Sequence, residues 1–71
     1  MKVIDGRDMQ PPEPFERVVE ALASLAAGEQ VLLILNREPI PLYDFLGRNN
    51  YLYKASAKDD GRIDILIWRQ S

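Results

Sequence analysis

Apolar residues along this chain change their spacing several times, and each change marks an element. Phe15, Val18, Val19, Leu22 and Leu25 recur at steps of three and four, which places them on one helical face. Glu13 and Glu16 fall in the first turn, where they complement the positive end of the helix dipole. Glu13 and Arg17 are four apart in the favourable order. Gly28 stands where the residue after a helix end is expected, so the spacing predicts a helix from about Pro14 to Ala27. Val31-Leu32-Leu33-Ile34-Leu35 is a continuous apolar run, too short for an isolated helix and suited to a central strand. Leu42, Phe45 and Leu46 predict a second helix of about two turns, ended by Gly47.

Val3-Ile4 predicts a short first strand. Tyr51 to Ala57 and Arg62 to Arg69 read as two further strands joined by Lys58-Asp59-Asp60-Gly61, whose Asp-Gly pair signals a hairpin. In the last strand Ile63, Ile65 and Ile67 alternate with Asp64, Leu66 and Trp68, so the isoleucines are expected to face the core. Leu66 and Trp68 then fall on the opposite face. With Tyr51 or Tyr53 they form a candidate surface for a protein partner or for a weak homodimer, against a plainer role of packing across strands in a monomer.

The order strand, helix, strand, helix, strand, strand predicts an α/β (α+β) protein. The first strand-helix-strand unit is expected to be a parallel crossover and the last two strands antiparallel. The economical arrangement is a two-layer βαβαββ sandwich, a mixed four-stranded sheet with both helices on one face. Residues 1–71 form a single domain without repeats or linkers.

Both predicted helices open on proline. Pro11-Pro12-Glu13-Pro14 precedes the first and Glu38-Pro39-Ile40-Pro41 the second. Proline lacks the N–H and fixes φ, so such runs are excluded from helix interiors and paired strands but can start a helix. Each loop leaves the carboxyl end of one of two parallel neighbouring strands, the place where open α/β sheets gather ligands. A small-anion site is therefore expected from Arg7, Arg37 and the two entrances, with Pro11, Pro12, Glu13, Pro14, Glu38, Pro39 and Pro41 around it. The plainer expectation pairs Arg7 with Asp8 or Glu13, and Arg37 with Glu38, as surface ion pairs of small energetic worth.

Composition removes most chemistry from such a site. The 71 residues contain no Cys and no His, which excludes thiol nucleophiles, disulfides and thiolate or imidazole metal sites. No cofactor and no metal are implied. Asp5, Asp8 and Glu13 are a conceivable carboxylate cluster for an enzyme, but their spacing specifies no reaction. Asp59-Asp60-Gly61 reads as a turn and not as a calcium loop, and Tyr43 as either a ligand contact or a half-buried helix residue. A net charge of −2 argues against nucleic acid. No apolar stretch approaches the roughly 20 residues that span a bilayer, and Met1-Lys2-Val3-Ile4-Asp5 lacks a signal-peptide pattern. A cytoplasmic location is expected.

Asp5-Gly6-Arg7-Asp8-Met9-Gln10-Pro11-Pro12-Glu13-Pro14, with the helix and Gly28-Glu29 that follow, resembles the bacterial TusA/SirA sulfur-carrier family. In that family Cys-Pro-x-Pro opens the first helix. Pro12-Glu13-Pro14 matches the Pro-x-Pro, and the carrier cysteine falls on Pro11. The chain is more similar to a Cys-less sister group, TusA-like domains of unknown function, with Glu38-Pro39-Ile40-Pro41-Leu42 as a second signature and Ile67-Trp68-Arg69 in the last strand. That group often carries His before the second signature, where this chain has Asn36-Arg37-Glu38. The resemblance implies the βαβαββ fold and a non-catalytic binding or protein-interaction domain. It also suggests an accessory or docking domain in sulfur-transfer or redox metabolism.

Overall fold

The computed structural model describes residues 1–69. Its elements are β1 (Lys2–Asp5), α1 (Glu13–Ala23), β2 (Gln30–Leu35), α2 (Ile40–Arg48), β3 (Tyr51–Ala57) and β4 (Ile63–Arg69). The four strands form one mixed sheet in the order β1-β2-β4-β3. β1 runs parallel to β2, and β4 is antiparallel to both β2 and β3. The expected βαβαββ sandwich is the fold observed.

The core follows from strand parity. Val31, Leu33 and Leu35 of β2 and Ile65 and Ile67 of β4 are buried on the helix-covered face, with Val18 and Leu22 of α1 and Leu42 and Leu46 of α2. The two helices also meet through Phe15 and Phe45, whose rings pack edge to face at 5.5 Å.

Both helix ends depart from expectation. α1 stops at Ala23, about a turn before Ala27. The Ser24 hydroxyl donates to the Ala21 carbonyl, a local bond that competes with the helical ladder, and accepts from Lys2 Nζ at 2.7 Å. Leu25 is buried outside the helix, and Arg69 Nη1 donates to its carbonyl at 3.3 Å. Gly28, with φ of +85°, therefore serves the next turn and not the helix cap. There the Glu29 N–H donates to the Ala26 carbonyl, and the Ala26 N–H donates to the Glu29 carboxylate. α2 runs through Gly47 to Arg48. Asn49 Nδ2 donates to the Phe45 carbonyl, and Asn50 takes the left-handed φ of 63° that ends the element.

The hairpin sets the phase of β3. The Gly61 N–H donates to the Lys58 carbonyl and the Lys58 N–H to the Arg62 carbonyl, with Gly61 at φ +88°. This is a turn with an added left-handed residue, not a two-residue loop. It pairs Tyr53 with Ile67 and Leu52 with Trp68. Tyr51 and Tyr53 therefore lie on the helix-covered face, contrary to the placement of either beside Trp68.

The uncovered face carries Val3, Leu32, Ile34, Leu52, Leu66 and Trp68, of which Val3 (60%) and Leu52 (42%) are the most exposed. Asp5 and Asp64 flank Ile34 at one end of this face. Among the described residues no helix is long and apolar enough to cross a membrane.

Candidate functional site

The β1–α1 and β2–α2 loops lie side by side, as adjacent parallel strands require, and enclose a cleft of about 480 Å3. Gly6 makes the close approach possible. It is buried, its N–H donates to the Ile34 carbonyl at 2.8 Å, and its carbonyl accepts from Met9. Asn36 Nδ2 donates to the Arg7 carbonyl at 3.3 Å and ties one loop to the other.

Every residue expected at this edge lines the cleft except Glu13, which pairs instead with Arg17 at 3.6 Å on α1. Pro11, Pro12 and Pro14 form one bank and Pro39 and Pro41 the other. The Pro11–Pro12 peptide bond is cis. Sequence reasoning missed the floor. Met9 and Phe15 come from the first loop and helix, Leu33 and Leu35 from β2, and Ile40 and Leu42 from α2. Helical spacing assigned Phe15 and Leu42 to the core and the apolar run assigned Leu33 and Leu35 to a central strand, while Met9 and Ile40 were given no such place; Leu33, Leu35 and Leu42 serve both core and cleft. The signal that could have found them is the abutment of each proline run on an apolar residue, Phe15 or Leu42.

The helix entrances offer fewer donors than expected. In α1 the Glu13 N–H donates to the Gln10 carbonyl and the Glu16 N–H to the Pro12 carbonyl, while Pro14 has none. In α2 the Leu42 and Tyr43 N–H groups both donate to the Pro39 carbonyl, at 3.0 and 3.1 Å. Ile40 donates to the Glu38 carbonyl across Pro39, whose φ of −88° and ψ of 76° define a tight inverse γ-turn. Prolines and local turns thus use up most of the donors that a helix start ordinarily presents to an anion, and the Phe15 N–H of α1 is left without a protein acceptor among the described residues.

Arg7 is also committed. Its Nε and Nη2 donate to the two carboxylate oxygens of Asp5 at 2.9 and 2.7 Å, and its backbone N–H reaches Asp5 Oδ1 at 3.2 Å. The partner is Asp5, neither Asp8 nor Glu13. This fork holds the Asp5 carboxyl at about 2, below its ordinary 3.8, and pushes the Arg7 guanidinium up. Because the folded value is depressed, the stabilisation is present above the ordinary value and is lost as pH falls through about 2. A carboxyl-carbon NMR titration is expected to place the Asp5 midpoint near 2 and to move it back toward 3.8 in Arg7→Ala. An unshifted midpoint in the unsubstituted protein would contradict the fork.

Arg37 has no salt bridge among the described residues, and the expected pair with Glu38 does not form. Tyr43 lies outside the cleft and stacks face to face on Tyr53, with centroids 4.5 Å apart. Burial pushes its phenol pKa up, and the Glu38 carboxylate adds to the shift. Asp59 and Asp60 sit in the hairpin turn, where Asp60 accepts from the Arg62 N–H. Asp5, Asp8 and Glu13 do not converge, and among the described residues no three acidic side chains are gathered as a metal would need.

The fold and this proline-framed cleft define a small α+β domain of the SirA-like kind. A family model for an uncharacterized conserved protein, DUF2249, matches residues 3–69, and the chain belongs to that family. Among solved structures, the crystal structure of a SirA-like protein from Desulfitobacterium hafniense is similar. It shares 28% identity at a TM-score of 0.84, over 94% of this chain and 95% of that one. No curated protein matches the chain.

Proposed function

We propose that this domain is a non-catalytic binding module whose working part is the cleft between the two proline-opened helices. The observation that carries this reading is the make-up of the cleft. Two rigid loops enclose a preformed, largely apolar space of about 480 Å3, within the range of small-ligand sites. The position that resembles the sulfur carriers' cysteine is Pro11, which supplies neither a nucleophile nor an N–H. The Asp5 carboxylate is held by Arg7, and Glu13 is paired on α1, so neither is poised as a general base. The ligand is an apolar group, either a small molecule or a side chain of a protein partner. The resemblance of Pro12-Glu13-Pro14 to the sulfur carriers' helix entrance suggests an accessory place beside sulfur-transfer or redox enzymes, without thiol chemistry of its own.

The test is a methyl-detected NMR titration with a neutral aromatic probe, 2-phenylethanol. Shifts are expected at Met9, Leu33, Leu35, Ile40 and Leu42, with a dissociation constant in about the millimolar range for so small a ligand. Shifts confined to the uncovered sheet face, or none at all, would defeat the proposal.

A second reading concerns the uncovered face. Val3 and Leu52 stand exposed around Leu66 and Trp68, an apolar surface able to meet a protein partner.

A further inference from the structure

We infer that the cleft selects a small monocarboxylate, an acid whose apolar body fills the floor and whose charge meets Arg37. This rests on the cleft being the binding site and adds the class of ligand. Two cations line the cleft, Arg7 and Arg37. Both carboxylate oxygens of Asp5 engage Arg7, so its charge is matched within the fold. Arg37 has no ion pair among the described residues and is exposed at the rim. The backbone N–H groups of Arg37 and Glu38 have no protein acceptor among the described residues. Among the described residues Glu38 is the one acid that lines the cleft, and its exposed side chain leaves it solvated.

Charge decides against phosphate and sulfate. A dianion calls for more than one unmatched positive charge, and of the two cations lining the cleft only Arg37 is without an ion pair among the described residues. One guanidinium with a flat two-donor edge matches one carboxylate. Size decides against acetate or formate. The cleft is about three times the roughly 150 Å3 that accommodates a benzene ring, so a ligand of one or two carbons leaves its floor uncovered.

The experiment compares three probes with one aromatic body and three charges, phenylacetate, 2-phenylethanol and 2-phenylethylamine, by methyl NMR at low salt. Phenylacetate is expected to bind roughly three- to tenfold more tightly than the alcohol, and the amine more weakly than either, as one partly exposed charge pair allows. The order is expected to collapse in Arg37→Gln while the alcohol's affinity stays. Lys54→Gln, the same charge change on the uncovered face, is expected to preserve it. Adding 0.5 M salt should shrink the spread among the three probes.

Equal affinities, tightest binding by the amine, or an order that survives Arg37→Gln would overturn the inference while leaving the cleft as the binding site. Inorganic sulfate binding at the same methyls more tightly than phenylacetate would overturn it too. If none of the three probes reaches the cleft, the binding-module reading fails with it.

Discussion

Truncating Leu33 to alanine is expected to remove about 3–4 kcal/mol of stability, the largest loss from any single apolar truncation in β2. Leu33 is 1% exposed and sits between Ile4 of β1 and Ile65 of β4, in the middle of the sheet's covered face. Its neighbours are held by strand pairing on both sides, so the space left by the lost carbons cannot close. A domain of 71 residues has on the order of 4–10 kcal/mol in total, so the variant retains little margin. Urea unfolding followed by Trp68 fluorescence measures the effect. A loss below about 1.5 kcal/mol would mean that the core relaxes around the gap.

Valine at Gly6 acts in the opposite sense, by overfilling. A Cβ there lies 2.8 Å from Leu35 Cδ2, 3.4 Å from Pro14 Cβ and 3.5 Å from the Ile34 carbonyl oxygen. Leu35 is buried and Pro14 is fixed by its ring, so neither yields easily. Gly6→Val is expected to cost about 2–3 kcal/mol. It also pushes apart the loop and strand that shape the cleft, because Leu35 and Pro14 both line it. The combined readout is a lowered urea midpoint and lost binding of 2-phenylethanol under conditions where the variant is folded. Gly47, which has nothing within 4 Å of an added Cβ, marks the contrast.

The covered face of the sheet was legible because period two in β4 and period three to four in α1 each point to one face. β2, a continuous apolar run of which alternate residues are buried, was legible by length and flanks. What the chain concealed depended on single hydrogen bonds. Asp60-Gly61 as a two-residue loop would set Tyr53 opposite Trp68, whereas the extra residue in the turn shifts the register by one. A shift of one moves every side chain of β3 to the other face, so Leu52 joins Trp68 and the tyrosines turn inward. Both glycine stop signals were plausible by residue type, but Ser24 ended α1 earlier and Asn50 ended α2 later.

At the candidate site, proline spacing revealed both banks and their adjacency. It did not reveal the partner of Arg7, because Asp5 lies two residues back at a strand end, and only the bend at Gly6 brings the two together. Nor did it show that the helix starts are short of donors, since that emerges from a count of hydrogen bonds and not of residues.

The banks carry a last consequence. Five prolines, whose rings restrict rotation about φ, stand along both walls, so much of the shape of the cleft is settled when the chain folds. An entering ligand has little backbone to organise, and little of its interaction energy is spent on ordering loops. The same stiffness means that the walls do not spread for a broader guest. If the cleft binds as proposed, discrimination is expected to act through girth, with a single ring held at smaller entropic cost than a branched or fused body.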